Sequence, residues 1–187
     1  SLPKVTISVF GPPSTSGTRD SLSELILEKG CQSDPAMKEL KDKDEKAYKA
    51  ACTRIREDGK YVDSGENDNL IVQKLTANPN SLGVFGYSYL EENKGALKDV
   101  PLNGVEASYE NVASGKYPGA RPLYIYVKKA HIQAIPGLQQ YVAEFAKAWE
   151  PGGYLAKRGM VASTDEVRAK SAENTKTLTV MDGSGLK

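Results

Sequence analysis

The decapeptide GPPSTSGTRD occupies residues 11–20 and joins two runs of different periodicity. Residues 5–10 (VTISVF) alternate apolar and polar side chains, which predicts a β-strand. The following apolar residues recur at a three-to-four spacing, which predicts a helix beginning near residues 16–18. They are Leu22, Leu25, Ile26 and Leu27. The first N–H groups of a helix lack internal partners and carry about half a positive charge, so this strand–loop–helix turn is a candidate anion site.

The side chains of the turn allow two interpretations. Gly17 leaves the backbone open to an approaching anion. Arg19 puts a cation in the first turn, where the helix dipole disfavours it by about 0.3–1 kcal/mol unless an oxyanion lies between them. The alternative is an ordinary capped surface helix with a solvated arginine, and these residues alone favour neither interpretation. Hydroxyl groups are more numerous than capping requires; they belong to Ser14, Thr15, Ser16 and Thr18.

The decapeptide resembles the anion-binding segment of the periplasmic phosphate-binding proteins, the solute receptors of phosphate ABC transporters. Residues 117–128 (YPGARPLYIYVK) are similar to the segment with which that family returns from its second lobe to its first. Several such blocks in the same order, over most of the chain, make the resemblance specific. The other blocks are residues 65–75 (GENDNLIVQKL), 82–90 (LGVFGYSYL), 152–155 (GGYL) and 185–187 (GLK).

The resemblance implies a receptor that binds inorganic phosphate without covalent chemistry in the periplasm and delivers it to an ABC transporter permease. It implies no catalytic residue, cofactor, metal ion or nucleic-acid partner. Ser14 and Asp20 are second choices for ligand contact, with Asp20 as a partner that orients Arg19. Some family members carry their arginine earlier in the loop, where this chain has Pro12. The residues that match the family's donors are Ser16, Gly17, Thr18 and Arg19.

The resemblance also implies a fold: an α/β, periplasmic-binding-protein-like (type II) lobe with a mainly parallel sheet, plus the C-terminal part of the first lobe. Residues 1–118 would form the second lobe, and residues 119–187 would return to an incomplete first lobe. We therefore expect a C-terminal fragment whose exposed apolar surface pairs with the missing first-lobe segment or with a second copy of the chain.

The two cysteines form a candidate disulfide. Cys31 follows a helix-ending Lys-Gly pair, and Cys52 lies on a helical run that starts at residue 45. Closing a loop of about 20 residues would stabilise the fold by roughly 3 kcal/mol in the chain-entropy model. Two free thiols in a cytosolic protein are the alternative, and the resemblance to an exported family favours the disulfide.

The remaining pattern alternates strands and helices, which predicts an α/β fold with ligands at the carboxyl ends of its strands. Residues 123–127 (LYIYV) are the most β-prone run of the chain, and the aromatic residues of the helix at 136–149 are expected in the core. Further strands are predicted at residues 82–87 and 97–105. Further helices are predicted at residues 34–40, 45–56, 67–77, 108–115 and 164–174.

Composition and motifs argue against several functional classes. The chain has 187 residues, 39% of them hydrophobic and 26% charged, with a formal net charge of +1. That balance gives no support to nucleic-acid binding, and no apolar run reaches the roughly 18 residues of a membrane span. The loop lacks the spacing and lysine of a nucleotide-binding P-loop, and His131 is the only histidine for a serine hydrolase. A phosphate-dependent enzyme and a structural or adhesive module with the same helix-start site remain the alternative functions.

Overall fold

The computed structural model describes residues 4–182 and contains a small parallel sheet flanked by helices. Its strands are β1 (Ser8–Gly11), β2 (Tyr61–Asp63) and β3 (Ser81–Gly83), in the order β2-β1-β3. Both outer strands run parallel to β1, with Val9 opposite Tyr61 on one side and Leu82 on the other. The predicted α/β class with a mainly parallel sheet is confirmed.

A helical segment follows β1 and is continuous from residue 17 to residue 31. It consists of α1 (Gly17–Ser21), a π-helical stretch (Leu22–Leu27) and α2 (Glu28–Cys31). The π-helical stretch was not predicted, because the three-to-four apolar spacing does not distinguish it from an α-helix. Two more helices, α3 (Pro35–Lys43) and α4 (Glu45–Cys52), complete this crossover.

The disulfide between Cys31 and Cys52 is present, with its Cα atoms 5.8 Å apart, as the sequence predicted. It joins the last residue of α2 to the last residue of α4. Tyr48 lies beside it, fully buried, and its hydroxyl donates a hydrogen bond to the backbone oxygen of Glu28 at 3.0 Å. One covalent and one polar link therefore hold α4 against α2.

Helix α5 (Asp68–Ala77) supplies the core beneath the sheet. Ile71, Val72 and Leu75 are buried on its inner face. A Cβ atom on Gly83 of β3 would lie only 2.5 Å from the Leu75 side chain, so glycine is what lets strand and helix approach. The α5 start is capped by Asn67, whose side chain accepts a hydrogen bond from the Asn69 N–H.

The second half of the described chain is helical. Tyr109 links α7 to the C-terminal region, since its hydroxyl accepts a hydrogen bond from the Ala162 N–H at 3.3 Å. None of the helices within residues 4–182 has both the length and the apolar character of a membrane span. The helices are α6 (Tyr87–Glu92), α7 (Tyr109–Ala113), α8 (Lys129–Ala134), α9 (Leu138–Ala148), a 3₁₀ turn (Ala156–Arg158) and α10 (Asp165–Thr177).

Four strand predictions were wrong in part or whole. The strand expected at residues 5–10 begins only at Ser8. Residues 123–127 form no strand, because no strand of the described chain lies beside them to pair with. Of residues 97–105, only an isolated antiparallel bridge between Leu102 and Val105 is present. The strand expected at 82–87 ends at Gly83, because a new helix begins at Tyr87. The block at residues 185–187 lies outside the described residues.

Helix predictions failed mainly at their ends. The helix expected to reach residue 56 stops at Cys52, where the disulfide holds it. The expectation that the α9 aromatic residues lie in the core was wrong for Tyr141, which is 62% exposed. Tyr141 instead packs edge-on against Phe145, with ring centroids 5.1 Å apart. Within the described chain, no element covers the outer part of this aromatic face.

Candidate anion-binding site

The carboxyl ends of all three strands lie at one edge of the sheet, because the strands are parallel. The strands end at Gly11, Asp63 and Gly83, and the helices α1, α5 and α6 begin just after them. This edge is where parallel α/β sheets bind ligands, and the loop at residues 12–16 occupies its centre beside the middle strand β1.

Ser16 caps the helix that follows this loop. The residue is 6% exposed, and its Oγ accepts a hydrogen bond from the Thr18 N–H at 3.2 Å. A hydroxyl can accept and donate together, so the Ser16 O–H remains a donor. The Asp20 N–H is used by the Ser16 backbone oxygen at 3.1 Å. Within residues 4–182, no acceptor takes the N–H groups of Gly17 and Arg19.

Arg19 is fixed beside this helix start by Tyr61 of β2. The guanidinium carbon lies 4.5 Å from the centre of the Tyr61 ring, a cation–π contact. The ring is fixed in turn, since its hydroxyl donates to the backbone oxygen of Pro12 at 2.7 Å. A Cβ atom on Gly11 would lie 2.3 Å from that hydroxyl, so glycine is required there for the ring to cross the loop.

The environment of Tyr61 changes its acidity. Partial burial raises the pKa of the Tyr61 hydroxyl, and the neighbouring Arg19 guanidinium lowers it in the opposite sense. Burial is the larger of the two effects, so the phenol stays neutral at neutral pH and keeps its proton for the Pro12 carbonyl.

The neighbouring loop after β2 adds acidic and basic groups to the same edge. The Thr15 hydroxyl donates to a carboxylate oxygen of Glu66 at 3.3 Å. Lys74 of α5 reaches the buried Ser64, with its Nζ 3.0 Å from Ser64 Oγ and 5.6 Å from the centre of the Phe10 ring. The loop at residues 12–16 thus has a carboxylate beside Thr15, and a lysine lies beside Ser64, just after β2.

The structure distinguishes the two second-choice residues from the others. Ser14 lies exposed at the outer part of the loop. Asp20 is exposed on α1, and within residues 4–182 its carboxylate forms no ion pair with Arg19. Tyr61, and not Asp20, is the group that positions the guanidinium.

Arg121 is a residue of this site that sequence reasoning missed. Its Nη2 donates a hydrogen bond to the backbone oxygen of Gly17 at 2.7 Å, and its Nη1 lies 3.6 Å from a Glu24 carboxylate oxygen. Arg121 and Gly17 are 104 residues apart in sequence, so no local pattern could have joined them. The only available signal was that Arg121 lies inside a block resembling the return segment.

The comparisons with known proteins agree on a family. A family model described as a PBP superfamily domain matches residues 1–148. The chain therefore belongs to the PBP superfamily.

Individual relatives are named as phosphate-binding proteins. The protein SphX of Synechococcus elongatus is 31% identical over 100% of this chain and 49% of its own length. The phosphate-binding protein PstS of Staphylococcus saprophyticus is 28% identical over 82% of this chain and 42% of its own length. The chain spans about half the length of the relatives it matches.

A solved structure supports the same fold. It is the crystal structure of a possible phosphate binding protein from Planctomyces limnophilus. Its TM-score with this chain is 0.57 at 25% identity, and the match covers 93% of this chain and 54% of the solved chain.

Proposed function

We propose that this chain is the anion-binding part of a receptor for inorganic phosphate that serves an ABC transporter. The observation that carries the proposal is Arg19, whose guanidinium lies on Tyr61 beside a hydroxyl-capped helix start at the carboxyl edge of a parallel sheet. Relatives named as phosphate-binding proteins support phosphate as the guest. The proposed contact residues are Ser14, Ser16, Gly17, Thr18, Arg19 and Asp20.

The proposed chemistry is reversible binding, with no bond made or broken. The Ser16 and Thr18 hydroxyls and the Gly17 and Arg19 N–H groups donate to phosphate oxygens, and the guanidinium balances the charge. Within residues 4–182, neither Ser14 nor Ser16 forms a hydrogen bond with His131, which lies on α8. We therefore propose a binding protein that acts without catalysis.

The proposed setting is the periplasm, where the receptor passes phosphate to the transporter permease. The disulfide between Cys31 and Cys52 supports an oxidising compartment. We further propose that residues 1–118 form the second lobe of the receptor and that residues 119–187 return to its first lobe.

The surface of the chain supports a complementary partner, either the first-lobe segment that the relatives' greater length would supply or a second copy. The chain exposes 13239 Å², against roughly 8,800 Å² expected for a compact monomer of this size. Exposed apolar side chains contribute to this surface, and Leu123, at 82% exposure, is the most exposed large hydrophobic residue of the described chain. Pairing of residues 123–127 with a strand of the partner would cover these side chains and satisfy their backbone groups.

Calorimetric titration of the chain with phosphate, sulfate and ATP tests the proposal. We expect binding of phosphate, and an Arg19→Ala variant that binds about 10- to 100-fold more weakly because a charged hydrogen bond is lost. Arg54→Ala, which removes an exposed arginine after α4, is the matched control and should bind as the wild type does.

The outcomes separate the alternatives. Unchanged phosphate affinity in Arg19→Ala would remove Arg19 from the site. Heat release from ATP with turnover to ADP would favour an enzyme. A chain whose melting temperature responds to none of the three anions, alone or with the N-terminal half of a relative added, would contradict the phosphate receptor and favour a structural module.

A further inference from the structure

Arg121 approaches the anion loop from a segment that is otherwise remote from it in sequence. Its guanidinium bridges α1 and the π-helical stretch, through the Gly17 backbone oxygen at 2.7 Å and the Glu24 carboxylate at 3.6 Å. The Gly17 oxygen also accepts from the Ser21 hydroxyl at 3.0 Å. A cation placed at the start of a helix normally opposes the helix dipole, so this position calls for a specific reason.

Gly17 is the residue that makes the approach possible. A Cβ atom at position 17 would lie 3.2 Å from Arg121 Nη2, so a side chain there would require the end of the guanidinium to shift by a few tenths of an ångström. The φ angle of Gly17 is not in the left-handed region, and its backbone alone does not require glycine. Glycine at position 17 therefore leaves room for Arg121 at the observed distance, besides leaving the backbone open.

The contact continues into the proposed donors through two further links. The oxygen that Arg121 holds belongs to the same peptide unit as the Thr18 N–H. That N–H donates to Ser16 Oγ at 3.2 Å, and the Ser16 O–H is a proposed phosphate donor. A charge that pulls on the Gly17 oxygen polarises the Thr18 N–H, which in turn makes the Ser16 hydroxyl a stronger donor, because hydrogen bonds in a chain polarise one another.

We propose that Arg121 is a positioning residue of the anion site, which acts through the Gly17–Thr18 peptide unit and the Ser16 hydroxyl. The proposal rests on the proposed phosphate-binding function. Arg121 does not touch the anion; it fixes the first turn of α1 and raises the donor strength of Ser16. Arg19 thus contacts the phosphate, and Arg121 fixes the first turn of α1.

A double-mutant cycle in the full chain tests this mechanism. Phosphate affinity is measured by calorimetry for the wild type, Arg121→Ala, Ser16→Ala and the double variant. We expect Arg121→Ala to weaken binding about tenfold in the wild-type background and less than twofold when Ser16 is already alanine. A merely structural arginine would give the same loss in both backgrounds, and that result would overturn the proposal.

Two further variants guard against simple misfolding. Arg121→Lys retains the charge and one donor, so it should recover part of the affinity lost in Arg121→Ala. Glu24→Gln frees Arg121 from its ion pair while leaving its hydrogen bond to Gly17, and it should bind at least as tightly as the wild type. Weaker binding by Glu24→Gln with no rescue by lysine would contradict the mechanism.

Hydrogen exchange without phosphate separates this inference from the phosphate proposal. In Arg121→Ala, the Thr18 N–H should exchange at least fivefold faster than in the wild type, since its peptide unit is no longer held. Arg54→Ala should leave that rate unchanged. If the wild-type chain binds no phosphate, the receptor proposal fails for this chain, and an unchanged Thr18 exchange rate would then overturn the role of Arg121 independently.

Discussion

The loop at residues 11–20 and the segment at residues 123–127 both gave clear predictions from sequence. The loop contacts distant parts of the chain, whereas the segment is exposed to solvent. The loop receives contacts from other parts of the chain, through Tyr61, Glu66 and Arg121. The segment presents its apolar and aromatic side chains to solvent, with rings of Tyr124 and Tyr126 6.2 Å apart on one side. Strong local preference thus produces an ordered structure only where a partner surface is within reach.

The largest expected contrast comes from one substitution made in the two regions. Ile71 is fully buried against the sheet, and Ile125 is 49% exposed. Ile71→Ala should lower the free energy of unfolding by about 2–5 kcal/mol because it leaves a cavity. Ile125→Ala should change it by less than about 0.5 kcal/mol. Urea denaturation followed by circular dichroism measures both variants.

The Ile71→Ala and Ile125→Ala variants should also differ when a partner is present. With the N-terminal half of a phosphate-binding relative added, Ile125→Ala should weaken association, because its side chain is then buried. A large cost of Ile125→Ala in the chain alone would mean that the segment already packs on something, which contradicts the contrast drawn above.

The disulfide is expected to give the next largest effect. A double Cys31→Ser, Cys52→Ser variant should lose roughly 3 kcal/mol of stability, since the oxidised loop spans 21 residues in sequence. Hydrogen exchange should rise chiefly in α3 and α4, which the bond holds against α2. Reduction of the wild type by a thiol should reproduce the loss, and reduction of the serine variant is the control.

The smallest expected effect concerns pH. Burial raises the pKa of the Tyr61, Tyr87 and Tyr117 hydroxyls, so the folded state holds these protons more tightly than the unfolded state does. Their contribution to stability is fully present below the ordinary tyrosine pKa of about 10 and is lost as pH rises above it. The free energy of unfolding should therefore fall as the pH rises above about 10.

Substitution at Tyr61 isolates one part of that loss. Tyr61→Phe should cost about 1 kcal/mol at pH 7, because the Pro12 carbonyl loses its donor, and it should show a shallower decline at alkaline pH. Tyr124→Phe removes an exposed hydroxyl and should follow the wild type at every pH. Equal alkaline slopes for Tyr61→Phe and Tyr124→Phe would mean that burial of Tyr61 does not couple to folding.

Sequence reasoning succeeded where the signal and its cause are local. Asp34 and Asn67 were recognisable as helix starts, and both side chains accept the expected backbone N–H. The disulfide was recognisable because Cys31 and Cys52 belong to two neighbouring predicted helices and the chain resembles an exported family. The role of the decapeptide as phosphate ligand stays a prediction, which Arg19→Ala tests.

Sequence reasoning failed where a partner was required. A β-prone run becomes a strand only when a neighbour accepts its backbone hydrogen bonds, and β-propensity carries no information on whether one is present. The aromatic face of α9 was assigned to the core for the same reason, although Tyr141 is exposed. Hydrophobic periodicity shows which face of a helix is apolar, but it does not show whether another element buries that face.

The sequence by itself determined the strand–loop–helix turn, the capped helices and the presence of a crowded hydroxyl loop, because each depends on residues within one or two turns of one another. Only the tertiary structure decided that Arg19 lies on the Tyr61 ring and that Arg121 donates a hydrogen bond to the Gly17 oxygen. Those contacts join residues 42 and 104 positions apart, and the parallel arrangement of β1 and β2 and the path of the return segment bring them together. Local sequence patterns do not show which distant residues come into contact. The contacts of Tyr61 and Arg121 with the loop were therefore visible only in the folded chain.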